Sequence, residues 1–501
     1  MPRRPCSSAA IVYAETVPYS HIGVRSSAAE QSLAQALAAL SEEFKLPRDF
    51  APEVLTEVEQ VIAAHELPAP DLSALPFITI DPPTSQDLDQ AMYLERSDDG
   101  YVVHYAIADV PSFVPAGGPL DAETRRRGQT IYTPGQRIPL HPAPLSEGAA
   151  SLFAQQPRSA YVWEIHLAAD GSQSSATVRR ATVQSVAKLG YEEAQKMYDA
   201  GTAPAAFAST LALLAEIGTK RIALERARGG ASLNVPAQEV EFVDGRYVLE
   251  FRPNLPIEDW NAQISLLTGM AAASIMIEGK VGILRTMPTP DEEAVATFRL
   301  QTVALGTPWT KDIAYGEYLR RLNTEDPKQL AIMHAATSLF RGATYTPFNG
   351  TVPDDIMQAA VAAPYAHTTA PLRRLVDRFV LAICAALCAN DDVPAWAIEA
   401  LMELPEIMSV SNQLAGKVDR AAVDTVEAAL LSHLLGEEFD AVVVAGPRSN
   451  GSKSTPRSSI QIRVPAVSAY CEGDLTPGTV VRVKLAAVDI AKRSVTFVPA
   501  A

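Results

Sequence analysis

Phe77-Ile78-Thr79-Ile80-Asp81-Pro82-Pro83-Thr84-Ser85-Gln86-Asp87-Leu88-Asp89-Gln90-Ala91 is where the chain changes character. Phe77 to Ile80 reads as a strand, which Asp81 ends. Pro82-Pro83 cannot extend a ladder and throws the following residues into a loop. That loop carries Asp81, Asp87 and Asp89, three carboxylates within nine residues. Hard divalent cations such as Mg²⁺ take a few carboxylates together with water and substrate phosphate oxygens. Phosphodiester hydrolysis uses such ions to activate water and to steady the leaving oxygen, commonly as a pair about 3.5–4 Å apart. On spacing alone the loop reads as readily as a turn, a set of Asx caps or a calcium site. An EF-hand is excluded, since no glycine sits inside the loop and no glutamate closes its twelfth position.

Upstream, alanines and leucines recur at helical spacing from Ala28 to Phe44, and a second helix starts near Pro52 and runs through Val54, Leu55, Val58 and Ile62. Residues 1–68 therefore read as a small, mainly helical domain of a size that suits a helix-turn-helix module. Downstream, Tyr101 to Ala108 is a strand leading to Asp109, and strands dominate to about Ser185. Long helices are expected at Ala205–Arg228, Ile257–Ile277, Asp291–Ala304, Pro327–Phe340 and Leu372–Ala389, which makes residues 69–435 one large α+β domain. From 436 to 501 short strands at Phe439–Val444, Ser459–Val464, Thr479–Leu485 and Ser494–Val498 alternate with Gly, Pro and Ser turns, the pattern of a small β-barrel. Gly446 to Lys453 reads as a flexible, positively charged loop within it. The expected fold class is multidomain α+β.

At 501 residues the chain is long enough for several domains of roughly 100–200 residues each. With 48% hydrophobic and 20% charged residues it has the composition of a globular protein rather than a disordered or fibrous one. The longest apolar stretch, Ile264 to Ile277, is shorter than the roughly 20 residues that cross a bilayer, and reads as a buried helix. Met1 to Val17 lacks the sustained apolar region of a secretory signal, so a cytoplasmic protein without membrane contact, and a monomer, is expected. The cysteines Cys6, Cys384, Cys388 and Cys471 form no CxxC pair, which argues against zinc or a disulfide framework. The net charge of −16 opposes nucleic-acid binding only if it acts globally. Arg125-Arg126-Arg127, Arg179-Arg180, Arg320-Arg321 and Arg373-Arg374 supply local positive charge that is either a channel lining or a solvated surface.

The carboxylate stretch with Ala106-Ile107-Ala108-Asp109-Val110 resembles the catalytic signature of the RNase II/RNB exoribonucleases. Tyr132-Thr133-Pro134-Gly135, Ile138-Pro139-Leu140, Leu145-Ser146 and Ser151-Leu152 resemble that family's next blocks in the same order. Tyr365-Ala366-His367-Thr368-Thr369-Ala370-Pro371-Leu372-Arg373-Arg374 with Asp377 resembles its "YAxxTSPIRRYxD" block. The resemblance covers residues 45–440 and implies single-stranded RNA entering a channel, Mg²⁺ (with Mn²⁺ an alternative) at its end, and release of nucleoside 5′-monophosphates. It implies Asp81, Asp87, Asp89 and Gln90 at the metal, with Asp81, Asp87, Asp89 and Arg373 carrying the chemistry. Tyr132, Tyr365, His367, Arg373 and Arg374 would meet RNA, Tyr132 by stacking and Arg373 at the scissile phosphate. Read as residues alone, Tyr132 serves as well in a core and Arg373 in an ion pair with Asp377.

Several positions depart from the family pattern. Gln90 stands where a fourth aspartate is usual, Val423 where a late glutamate is expected, and Ala370 where a serine is. The N-terminal part is too short for the family's paired cold-shock barrels. The C-terminal strands resemble its OB-fold barrel, with Phe439, Tyr470 and Phe497 as the candidate aromatic platform. The leading expectation is a processive 3′-to-5′ exoribonuclease acting on single-stranded RNA and tailed structured RNA. The alternative is an RNA-binding protein whose catalysis is weakened or lost through Gln90 and Val423.

Overall fold

The computed structural model describes residues 22–23, 27–133, 136–231, 237–243, 246–252, 254–323, 326–447, 456–462 and 467–500. The Met1–Val17 segment, Cys6, Pro134-Gly135, Arg463-Val464 and the polar loop beyond Pro447 lie outside them. Two helices come first, α1 (Ser27–Glu43) and α2 (Pro52–Ala64). The N-terminal region is helical as expected, but the two helices share no core. Leu33, Leu37 and Leu40 of α1 pack on Ala422, Val426 and Leu430 near the end of the large α+β domain. Val54 and Val58 of α2 instead join Phe77, Leu88 and Leu120 beneath the carboxylate loop. Each helix has a single apolar stripe, and the larger domain offers more surface to bury it than the other helix does.

Strands Phe77–Ile80, Gln90–Ser97, Gly100–Ala108, Pro157–Ala168 and Gln173–Leu189 close a five-stranded barrel. Neighbours are antiparallel except the first and last, which pair in parallel with Ile80 against Leu189. Parallel partners leave a barrel at the same rim. Asp81 and Tyr191 therefore emerge side by side.

Around the barrel run α3 (Pro119–Arg127), α4 (Tyr191–Ala200), α5 (Ala208–Ala227), α6 (Pro256–Gly279), α7 (Glu292–Ala304), α8 (Tyr315–Arg320), α9 (Pro327–Ala336), α10 (Leu375–Ala389), α11 (Ala395–Ala400) and α12 (Leu404–Leu431). By length and composition α6 could cross a membrane, yet Ile264, Leu267, Ala271, Ala272, Ala273 and Met276 lie in the main core beside α5 and α10. Cys384 is buried on α10 and Cys388 partly so. The last helix, α12, is 28 residues long and absent from the expected set. Its buried stripe leans on Ala421, Ala422, Ala428 and Ala429, which give little hydrophobic contrast.

The C-terminal strands Glu438–Ala445, Arg457–Ile462, Ser468–Glu472, Val480–Asp489 and Ser494–Pro499 close a second five-stranded barrel. The short third strand, Ser468–Glu472, is the one the sequence reading lacks. Arg493, between the last two strands, binds Glu43 at the end of α1 through both carboxylate oxygens, at 2.7 and 2.9 Å.

Candidate active site

The carboxylate loop is held by its backbone. Ser151 Oγ donates to Gln86 O (2.7 Å) and accepts from Leu88 N (2.9 Å), while Leu152 N donates to Leu88 O (3.0 Å). From the barrel rim Lys188 Nζ reaches Pro83 O (3.1 Å) and Ser85 O (2.5 Å). Leu88, fully buried, anchors the loop in the core, so its two flanking aspartates are carried on a fixed frame.

Asp89 is 5% exposed. Its Oδ1 accepts from Leu372 N at 2.7 Å, and its Oδ2 lies 4.0 Å from Arg373 Nε. Burial holds the Asp89 carboxyl well above the usual carboxylate range, with Arg373 opposing. Burial also raises Asp81, to about 6, with Arg373 and Lys188 pulling it down and Asp87 pushing it up. Two carboxyls that resist ionisation beside a third are a site poised for added positive charge. The Leu372 peptide is fixed from both sides, because its carbonyl sits 3.1 Å from Nδ1 of buried His141.

The two adjacent arginines do different things. Arg374 binds Asp377 through Nε (2.9 Å) and Nη2 (2.8 Å), and Asp377 Oδ1 also accepts from Ala370 N (2.8 Å). The ion pair with Asp377 that Arg373 could have made belongs to Arg374, and Arg373 is left 47% exposed on its side chain. Arg374, expected to meet RNA, gives two donors to a fully buried carboxylate, while its side chain stays 20% exposed and borders the same cavity as Arg373. Tyr365, likewise expected to meet RNA, is largely buried, at 8% exposed, and a Cβ at Gly269 would overlap its ring. His367 is held between Tyr345, whose hydroxyl is 2.7 Å from Nδ1, and Tyr365.

Gln90, expected at the metal, already has a partner at both polar ends of its amide. Its Oε1 accepts from the Tyr105 hydroxyl and its Nε2 donates to Thr369 O, both at 2.7 Å. An amide can satisfy that donor and that acceptor together, whereas a carboxylate could not donate to Thr369. Val423 lies partly buried on α12.

Tyr132 is 52% exposed. With Gln129, Thr130, Arg373, Arg374, Ala415, Gly416 and Asp419 it lines a cavity of about 360 Å³. The core role for Tyr132 is thereby set aside. In the second barrel Phe497 is fully buried against Phe439, and Tyr470 alone of the expected platform stands out, 61% exposed. Asp109 is a buried cap, paired with Arg180 at 3.0 Å and bound by Ser159. The sequence reading passed over Lys188, His141, Tyr191 and Arg137. Tyr191 follows the strand that pairs with Phe77–Ile80, and burial together with the Asp81 charge raises its hydroxyl to about 12.

Asp81, Asp87 and Asp89 are hard oxygen donors and suit Mg²⁺ or Mn²⁺ by chemistry. Among the described residues, however, no three ligating side chains gather on one point. The residues fit an ion that takes one or two carboxylates and completes its shell with water and phosphate oxygens.

Residues 70–390 match the RNB domain and residues 437–500 the RNase II-type exonuclease C-terminal S1 domain. The chain belongs to the RNB family. Ribonuclease R of Escherichia coli (strain K12) is 26% identical over 401 residues, covering 74% of this chain and 48% of the relative. This RNB chain spans less than half the length of the curated relatives it matches first, 38% and 48%. Mycoplasma genitalium RNase R in its apo form shares the fold with a TM-score of 0.82 at 18% identity, over 94% of this chain and 78% of that one. That RNase R has also been solved with ribose-methylated single-stranded RNA and with double-stranded RNA. Yeast Ssd1, described as a pseudonuclease, shares the RNB fold at a TM-score of 0.64 and 16% identity, over 87% of this chain and 57% of that one.

Proposed function

We propose that this RNB chain is a metal-dependent 3′-to-5′ exoribonuclease that releases nucleoside 5′-monophosphates from single-stranded RNA. One observation carries the reading: an exposed arginine stands 4.0 Å from a buried aspartate, on a cavity that also displays an exposed tyrosine. Tyr132 offers a face for the terminal base, a sequence-tolerant contact. Arg373 presents a planar guanidinium that binds phosphate oxygens as charge develops on them. Asp81 and Asp89 hold the water-side of the reaction, and a bound Mg²⁺ or Mn²⁺ supplies a water of lowered pKa and a Lewis acid for the phosphate. Leu372 and His141 keep Asp89 in place.

Uniformly labelled single-stranded RNA incubated with the full chain and Mg²⁺ or Mn²⁺ is expected to yield 5′-monophosphates, and none with EDTA. Products bearing 3′-phosphates, or activity indifferent to EDTA, would refute the reading. A chain that binds RNA without turnover is the second reading, favoured by the committed amide of Gln90. It predicts retention of RNA on a filter with no monophosphate under any metal.

A further inference from the structure

Arg137 lies in the heart of this site and has no role in the reading above. Its Nη1 is 2.6 Å from Asp87 Oδ1, and its Nη2 pairs with Glu147. The hairpin Ile131–Thr133/Gln136–Ile138 puts Arg137 directly opposite Tyr132. Facing residues of an antiparallel pair project to the same side of the ribbon, so the aromatic face and the guanidinium are presented together. Two of the five N–H donors of the guanidinium are committed to the carboxylates, and three remain.

A second divalent cation has little to bind here. A two-ion centre needs carboxylates to bridge ions about 3.5–4 Å apart. Gln90 is neutral and tied at both ends. Asp87 already gives one oxygen to Arg137, and Asp89 gives one to Leu372 N. Arg373, Lys188 and Arg137 stand among the three aspartates and Glu147, and no three ligating side chains converge among the described residues.

We infer that this site takes a single divalent cation and that Arg137 is the fixed second cation, binding a non-bridging oxygen of the scissile phosphate while it shares Asp87. A guanidinium does there, without dissociating, the charge neutralisation that a second ion provides elsewhere. The inference rests on the exoribonuclease reading for its phosphate, but its ion count stands separately.

The test is calorimetric titration of the full chain with Mn²⁺, beside single-turnover cleavage of a 5′-labelled single-stranded RNA. One Mn²⁺ equivalent is expected for the unaltered chain. Arg137→Gln frees Asp87, so Mn²⁺ should bind about tenfold more tightly or a second equivalent should appear, while cleavage at saturating Mn²⁺ falls by about 100-fold. Arg137→Lys, which keeps a charge in the same hairpin, should recover part of the rate and the single-ion titration, separating charge from folding. Two equivalents in the unaltered chain, or an Arg137→Gln chain with unchanged Mn²⁺ affinity and rate, would overturn the inference while leaving the exonuclease intact. Single-ion binding without any shortening of RNA would instead sink the exonuclease reading.

Discussion

Arg373 and Arg374 are neighbours in sequence with opposite fates, and the difference yields a paired prediction. Arg373→Ala removes a half-exposed guanidinium over Asp89, and should lower kcat by about 10²–10³-fold with little change in melting temperature. Arg374→Ala leaves the fully buried Asp377 without its counter-charge, and should cost about 3–5 kcal/mol of stability in urea unfolding. Equal effects of the two on stability would contradict this assignment. The aspartate loop was legible in the sequence because Pro82-Pro83 ends the strand and three carboxylates follow, although its chemistry came only from the family resemblance. The division of labour in the arginine block was not, because it depends on which guanidinium the turn at Ala370 aims at Asp377. The hydrogen bonding of Gln90 was hidden for a related reason. Its partners, Tyr105 and Thr369, lie 15 and 279 residues away.

At the scale of elements, the segment Leu372 to Arg374 is held by contacts from three directions: His141 behind, Asp89 in front, and Thr130 alongside, whose N–H donates to Arg373 O at 3.0 Å. Burial holds His141 down to about 3, aided by the Arg378 and Arg127 charges. Between that value and the ordinary 6.5 the unfolded chain binds the proton and the folded chain does not. Stability from this group is therefore complete above about pH 6.5 and is lost as pH falls toward 3, by up to ~1.4 kcal/mol per unit. His141→Asn should flatten that part of the stability profile, and an unchanged acid slope would argue against a neutral His141. The helix α1 predicts differently. Leu33 is fully buried against α12, so Leu33→Ala should cost about 2–4 kcal/mol in chemical denaturation while leaving cleavage of unstructured RNA intact. The helical character of α1 and α2 could be read from their periodicity. Their docking on separate parts of the catalytic domain could not, because a stripe names no partner.

Over the whole molecule, the proposed function requires a chain of net charge −16 to meet a polyanion through a few exposed cations. Single-stranded RNA binding should weaken with salt at a log–log slope near −0.7 per phosphate neutralised. A flat salt response would leave the basic residues at the site without a binding role. The C-terminal barrel was visible as an alternation of short strands and turns and the first only as a strand-rich stretch, while its closure and the parallel pairing that sets Asp81 beside Tyr191 required the long-range register. In the proposed function the buried aspartates and the exposed Arg373 act on the 3′ end of RNA. The most direct test is a time course on 5′-labelled single-stranded RNA with Mn²⁺, comparing the unaltered chain with Asp89→Asn, which keeps an oxygen for Leu372 N. Stepwise shortening from the 3′ end to a small labelled core by the unaltered chain, with at least about 100-fold slower shortening by a variant that still binds the RNA, is the predicted result. Equal shortening by both, or tight binding by the unaltered chain with none, would contradict it.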